Sequence, residues 1–164
     1  MNLNIFRIFL FLALLGVPFN LFGQSFDSNL VGYRHEGVRF GEKLPNGAQD
    51  LGGGLLSDEE YGVTRFKKDG IYMLWLEKIT GRNKTGVPGW EVVDVLSFKE
   101  LKRNQQFLFS YSTPCRRYGK ENLDLIVLAE IFPPSKKYIP FKAWMADVTS
   151  GKFRSIPVTG ISCR

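Results

Sequence analysis

Cys115 and Cys163 are the only thiols in the 164-residue chain, and each is followed directly by arginine: Arg116 and Arg117 after the first, Arg164 after the second. Joining the two cysteines would gather three guanidinium groups beside Tyr118 and Lys120, with no acid between positions 115 and 120 to neutralise them. Guanidinium groups next to an aromatic face suit forked hydrogen bonds to carboxylate, phosphate or sulfate. Arg116, Arg117, Tyr118, Lys120 and Arg164 are therefore the binding constellation that the sequence offers, with Lys136 and Lys137 close by in a Pro-Pro turn. The plain alternative is a solvated cationic loop, where arginines and lysines ordinarily sit.

Catalytic sets are largely missing. The single histidine, His35, lies in Tyr33-Arg34-His35-Glu36, without the second histidine of a metalloprotease helix. A zinc site needs three or four ligands, so no metal or cofactor is expected. No Gly-x-Ser-x-Gly elbow is present to expose a nucleophilic serine. Glycosidase-like chemistry needs only two acids at a set separation. The acids weighed for it are Asp94, which shares a strand face with Trp90, Val92 and Leu96, and Asp147; they carry the alternative reading, a hydrolase of envelope polymers. Gly52-Gly53-Gly54 lacks the Lys-Ser/Thr of a phosphate loop and reads as a flexible linker. Trp75, Trp90 and Trp144 lie in strand patterns that suit a core. Trp144, flanked by Lys142 and Asp147, is the one weighed as an exposed platform for a sugar ring.

The elements that must position these groups are strands. After residue 57, short runs rich in aromatic and β-branched residues alternate with turn signals every ten to fifteen positions, the mark of an antiparallel all-β domain. Residues 61–67 and 71–80 flank Asp69-Gly70, a strong hairpin cue because glycine accepts positive φ. The second of these runs is apolar on both faces and should be central. Further strands are expected at 90–98, 106–112, 123–132, 141–148 and 152–156. The architecture expected over 57–164 is an antiparallel sandwich or partly closed barrel of six to eight strands with one disulfide. Residues 24–56, dense in glycine and proline, read as an extended lead-in with short strands near 31–34 and 38–40.

The address comes from the N-terminus. Arg7 precedes an unbroken apolar run at 8–17, Pro18 ends it, and Gly23 offers a small residue for cleavage, so residues 1–23 read as a signal peptide. Ten apolar residues fall short of the roughly 20 that cross a bilayer. Loss of Arg7 leaves 21 basic against 16 acidic residues, about +5. That excess serves solubility and also favours an anionic partner, whether a glycan, a lipid headgroup or an acidic protein. Two cysteines in an exported chain pair as a structural bridge. The function expected is thus a non-enzymatic binding or interaction protein in the periplasm or outside the cell, one form of which would inhibit another enzyme.

One resemblance adds to this. Leu74-Trp75-Leu76-Glu77, Val93-Asp94-Val95-Leu96, the loop cysteine at 115, Leu125-Ile126-Val127-Leu128-Ala129, Ala143-Trp144 with Asp147, Gly151-Lys152-Phe153 and Gly160-Ile161-Ser162-Cys163 follow one another as in small exported β-rich bacterial proteins of uncharacterised function, which residues 60–164 resemble. The resemblance implies a bacterial envelope address and the disulfide. It carries over no active residues.

Overall fold

The computed structural model describes residues 28–37, 40–109, 113–133 and 137–164. The expected signal peptide lies outside them, as do the end of the expected strand 106–112 and Lys136. The described chain is all-β, with twelve strands: β1 (Arg34–Glu36), β2 (Gln49–Leu55), β3 (Tyr61–Lys68), β4 (Ile71–Arg82), β5 (Pro88–Phe98), β6 (Gln105–Phe109), β7 (Cys115–Arg117), β8 (Lys120–Glu121), β9 (Leu125–Phe132), β10 (Lys137–Asp147), β11 (Lys152–Ile156) and β12 (Ile161–Cys163). They form a curled antiparallel sheet in the order β1-β5-β4-β3-β2, a second sheet β11-β10-β9-β6, and a small third sheet β12-β7-β8.

The hairpin between β3 and β4 turns on Asp69 and Gly70 alone, both at positive φ (51° and 80°), as a two-residue loop matched to strand twist requires. β4 is central and buried on both faces. Leu74 and Leu76 point toward the second sheet and join Val63, Leu96, Phe107, Ile126, Leu128 and Trp144 in the core between the sheets. Met73 and Trp75 point the other way, where Leu44, Ala48, Phe66, Val92 and Val95 make a second core. A third apolar layer, built from Leu108, Leu125, Val127, Ala129 and Ala143, lies on the outer face of the second sheet and includes Cys115.

From residue 57 onward the two large sheets hold seven strands, within the expected six to eight, and five further strands add to them. The lead-in contributes β1 and β2 to the edges of the first sheet, and the disulfide region makes a sheet of its own. β1 begins only at Arg34, the last position of the strand expected near 31–34, whose first two residues form a turn instead; positions 38 and 39 of the other expected strand lie outside the described residues. Gly52-Gly53-Gly54 is not a linker but part of β2, paired with β3 around a bulge between Asp50 and Gly53. Within β10, Pro140 has no N–H to give the ladder, and the pairing with β9 shifts register between Pro140 and Lys142.

Cys115 and Cys163 are directly opposite in the β7–β12 ladder and form the disulfide, with an S–S distance of 2.03 Å and Cα atoms 4.1 Å apart. The bridge fastens the final strand against the outer face of the second sheet. Among the described residues no helix is long and apolar enough to cross a membrane.

Candidate functional site

A cavity of about 310 Å³ opens on one face of the curled sheet, with walls from all five of its strands. β1 supplies His35, β2 supplies Asp50 and Gly52–Gly54, β3 supplies Gly62, Thr64 and Phe66, β4 supplies Glu77, and β5 supplies Trp90. Phe40, in the segment crossing from β1 toward β2, sits at its rim and is 76% exposed.

Glu77 is a charged group only 2% exposed, in the middle of the central strand. A carboxylate so placed must be fully bonded to be tolerated. Its Oε1 lies 2.6 Å from His35 Nε2, and its Oε2 accepts the Thr64 hydroxyl at 2.6 Å. The other ring nitrogen of His35, Nδ1, lies 2.9 Å from the backbone carbonyl oxygen of Glu36. A carbonyl oxygen only accepts, so Nδ1 carries a proton; with a carboxylate at Nε2 the ring is a doubly protonated imidazolium. Burial works against that charge, yet the hydrogen bond and negative charge of Glu77 outweigh it and hold the His35 pKa above the usual histidine value. Tyr33, Phe66 and Trp75 pack around the ring, with centroids 5.7, 6.2 and 5.8 Å away. Both nitrogens are thus engaged, and neither is free to act as a base or to bind a metal. Among the described residues no group of three His, Cys, Asp or Glu side chains could hold a metal ion.

Asp50 faces the same cavity and is 9% exposed. Burial raises its pKa; the Gly52 N–H bonded to its Oδ1, and the charges of Arg65 and His35, oppose the rise without cancelling it. Arg65 acts from the opposite face of the sheet, where its guanidinium donates to the backbone oxygens of Leu51 and Gly52 and lies over the Phe109 ring.

The glycines give the cavity its shape. At Gly62 a Cβ would come within 3.2 Å of the Trp90 ring, so the indole rests on bare backbone. At Gly52 it would meet Phe40 at 3.3 Å. At Gly53 it would run into the Val63 carbonyl and stand 2.6 Å from the Thr64 Cα, where no side-chain movement can relieve it. Gly53→Ala is accordingly expected to push β2 off β3 and cost about 1–3 kcal/mol, as overpacking does. Chemical denaturation of the variant checks this, and an unchanged midpoint would show that the two strands are not held so close.

The groups singled out in the sequence lie elsewhere. Strand alternation divides the cationic constellation. Arg116 points to one face of β7, where Glu121, one position beyond the acid-free stretch, pairs with it at 2.7 Å. Arg116 and Arg164 share a shallow depression of about 180 Å³ with Pro114, Gly119 and Ser162. Arg117 lies on the alternate position and stacks over the Tyr118 ring at 5.5 Å. Lys120 is exposed in β8, across the ladder from Arg117. Trp144 is not an exposed platform. It is 2% exposed in the core between the sheets, against the rings of Phe98 and Phe107, and a buried ring offers no face to a sugar. Asp94 is buried where the two large sheets meet, accepting from the Phe153 N–H at 2.7 Å with Lys152 Nζ at 3.3 Å. Asp147 accepts from the backbone of Thr149 and Ser150 and shapes the β10–β11 turn, and these bonds, Ser150 first, hold its pKa below the usual value. Neither acid lines the concave cavity.

Comparison with models of protein families, with curated proteins and with solved structures finds no match for this chain. The function must therefore be argued from the site alone.

Proposed function

We propose that this chain is an exported, non-enzymatic binding protein, and that the concave cavity of the first sheet is where it binds. One observation carries this reading: the imidazole at the cavity is consumed by its own partners, Glu77 and the Glu36 carbonyl, while a shaped opening remains between Phe40, Trp90 and a floor of glycine backbone. Ligand sites are typically concave with fixed polar groups set among apolar walls, and this cavity places Asp50 and Thr64 beside Phe40, Phe66 and Trp90.

The export half of the proposal rests on the apolar run at 8–17 and on the disulfide, which persists in oxidising compartments. A bacterial envelope address, periplasmic or extracellular, is the version suggested by the likeness to small exported bacterial proteins. The hydrolase alternative has less support, because Asp94 and Asp147 are both spent on backbone N–H groups. An anionic partner at the disulfide loop is weakened in the same way by the Arg116–Glu121 pair.

The test is a thermal-shift screen of the disulfide-bonded protein against small polar and aromatic compounds, run in parallel on Phe40→Ala. That substitution removes an exposed ring and should leave the unliganded melting temperature nearly unchanged. Compounds that raise the wild-type Tm are expected to lose most of the effect in the variant. Equal shifts in both proteins, or none in either, would contradict the proposed site.

A further inference from the structure

The Asp50 carboxyl is nine-tenths buried, and only one of its oxygens is accounted for: Oδ1 takes the Gly52 N–H, while no side chain or backbone donor among the described residues reaches Oδ2. The charges nearby act on Asp50 only at a distance. His35 and Glu77 neutralise each other, and Arg65 is held on the far face of the sheet by two backbone oxygens and the Phe109 ring. What the cavity presents to an incoming molecule is therefore a carboxyl oxygen still open to it, in a lining that also holds Phe40, packed at Gly52, and Trp90, packed at Gly62.

From this arrangement we infer that the cavity takes the cationic end of a small organic amine, with an ammonium or guanidinium N–H donated to Asp50 and the carbon body covered by Phe40 and Trp90. The inference rests on the binding reading above and narrows it to one ligand chemistry. A cation beside a buried carboxylate gains a charge-assisted hydrogen bond, and aromatic faces attract it further through their electron-rich centres. An anion would meet repulsion from Asp50 instead. A neutral hydroxyl would leave the carboxylate uncompensated. Burial alone disfavours ionised Asp50, so a bound cation would draw its pKa back down and offset that cost.

Three probes of nearly one shape separate these cases: benzylammonium, benzyl alcohol and benzoate, titrated calorimetrically into the wild type and into Asp50→Asn. The asparagine keeps the Oδ1 acceptor for Gly52 but removes the charge and replaces the second acceptor oxygen with an NH2 donor. Benzylammonium is expected to bind the wild type more tightly than the other two, by about tenfold or more, which is the usual worth of a hydrogen bond to a charged group. In Asp50→Asn that preference should vanish. The wild-type affinity for benzylammonium should also fall as the pH is lowered through the Asp50 pKa, while that for benzyl alcohol stays level. Equal or tighter binding of benzyl alcohol or benzoate would overturn the cation inference and leave the cavity as a binding site. An unaltered preference in Asp50→Asn would overturn it as well. Failure of all three probes would overturn the inference too, and the thermal-shift screen with Phe40→Ala then decides separately whether the cavity binds anything.

Discussion

Glu77→Leu is expected to destabilise the protein by about 3–5 kcal/mol, the usual penalty for removing one partner of a buried ion pair. The leucine would strand the His35 Nε2 proton and the Thr64 hydroxyl, both of which end on this one carboxylate. Because His35 sits on β1, a three-residue edge strand, the loss should also loosen the lead-in from the first sheet. Glu77→Gln separates charge from shape. The amide oxygen still accepts from His35 and the amide nitrogen can donate to the Thr64 oxygen, so the geometry survives and only the attraction is lost.

The two variants differ most clearly in their dependence on pH. In the wild type the folded pKa of His35 is raised above the unfolded value, despite burial, by its bond to Glu77. The folded state then holds a proton that the unfolded chain gives up, so this contribution is fully present below about pH 6.5 and disappears as the pH rises through the folded value. Denaturant midpoints measured from pH 5.5 upward should fall across that window in the wild type. In Glu77→Gln the fall should be much smaller. Asp50, whose folded pKa is also raised, contributes a fall of the same sign, and the difference between the wild type and Glu77→Gln isolates the part that belongs to the His35–Glu77 bond.

The second large effect concerns the disulfide. It closes a loop of 48 sequence steps, for which the loss of chain entropy in the unfolded state is worth roughly 4 kcal/mol. Cys115→Ala with Cys163→Ala should therefore lower the unfolding free energy by about that amount, minus whatever structure the unfolded chain retains. Since β7, β8 and β12 form a separate small sheet, their amides should lose protection from hydrogen exchange before those of β4 and β5. A double variant as stable as the parent, with the third sheet equally protected, would show that packing around Leu125, Val127 and Ala143 holds it without the bridge.

Much of the scaffold is legible in the sequence because strand patterning and turn chemistry act locally. Asp69-Gly70 marks its hairpin without reference to the rest of the chain, and the two-faced apolar run of β4 announces a central strand. The cysteine pairing follows from there being only two. The site is less legible because its parts are scattered from position 35 to position 90 and meet only when the sheet curls. A sequence signal for it does exist. Glu77 directly follows Leu74-Trp75-Leu76 in a strand buried on both faces, and an acid there needs a cation or donor that the single histidine can supply. The glycine run misleads for a related reason: glycine in a linker and glycine where two strands must almost touch look the same until the Val63 carbonyl is seen beside Gly53. The cationic loop misleads through alternation, which sends Arg116 and Arg117 to opposite faces of β7. Trp144 carries the pattern of any core strand residue, and its polar neighbours Lys142 and Asp147 lie on β10 without bringing the indole to the surface.

The most direct test of the binding site is a two-dimensional NMR titration of the disulfide-bonded protein with benzylammonium. Shifts are expected to concentrate on the Trp90 indole N–H and on the amides of Gly52, Gly53, Gly62 and Thr64, and Asp50→Asn to raise the benzylammonium concentration they need by about tenfold or more. Shifts confined to the loop around residues 116–120, or spread evenly over the surface, would contradict the proposed site.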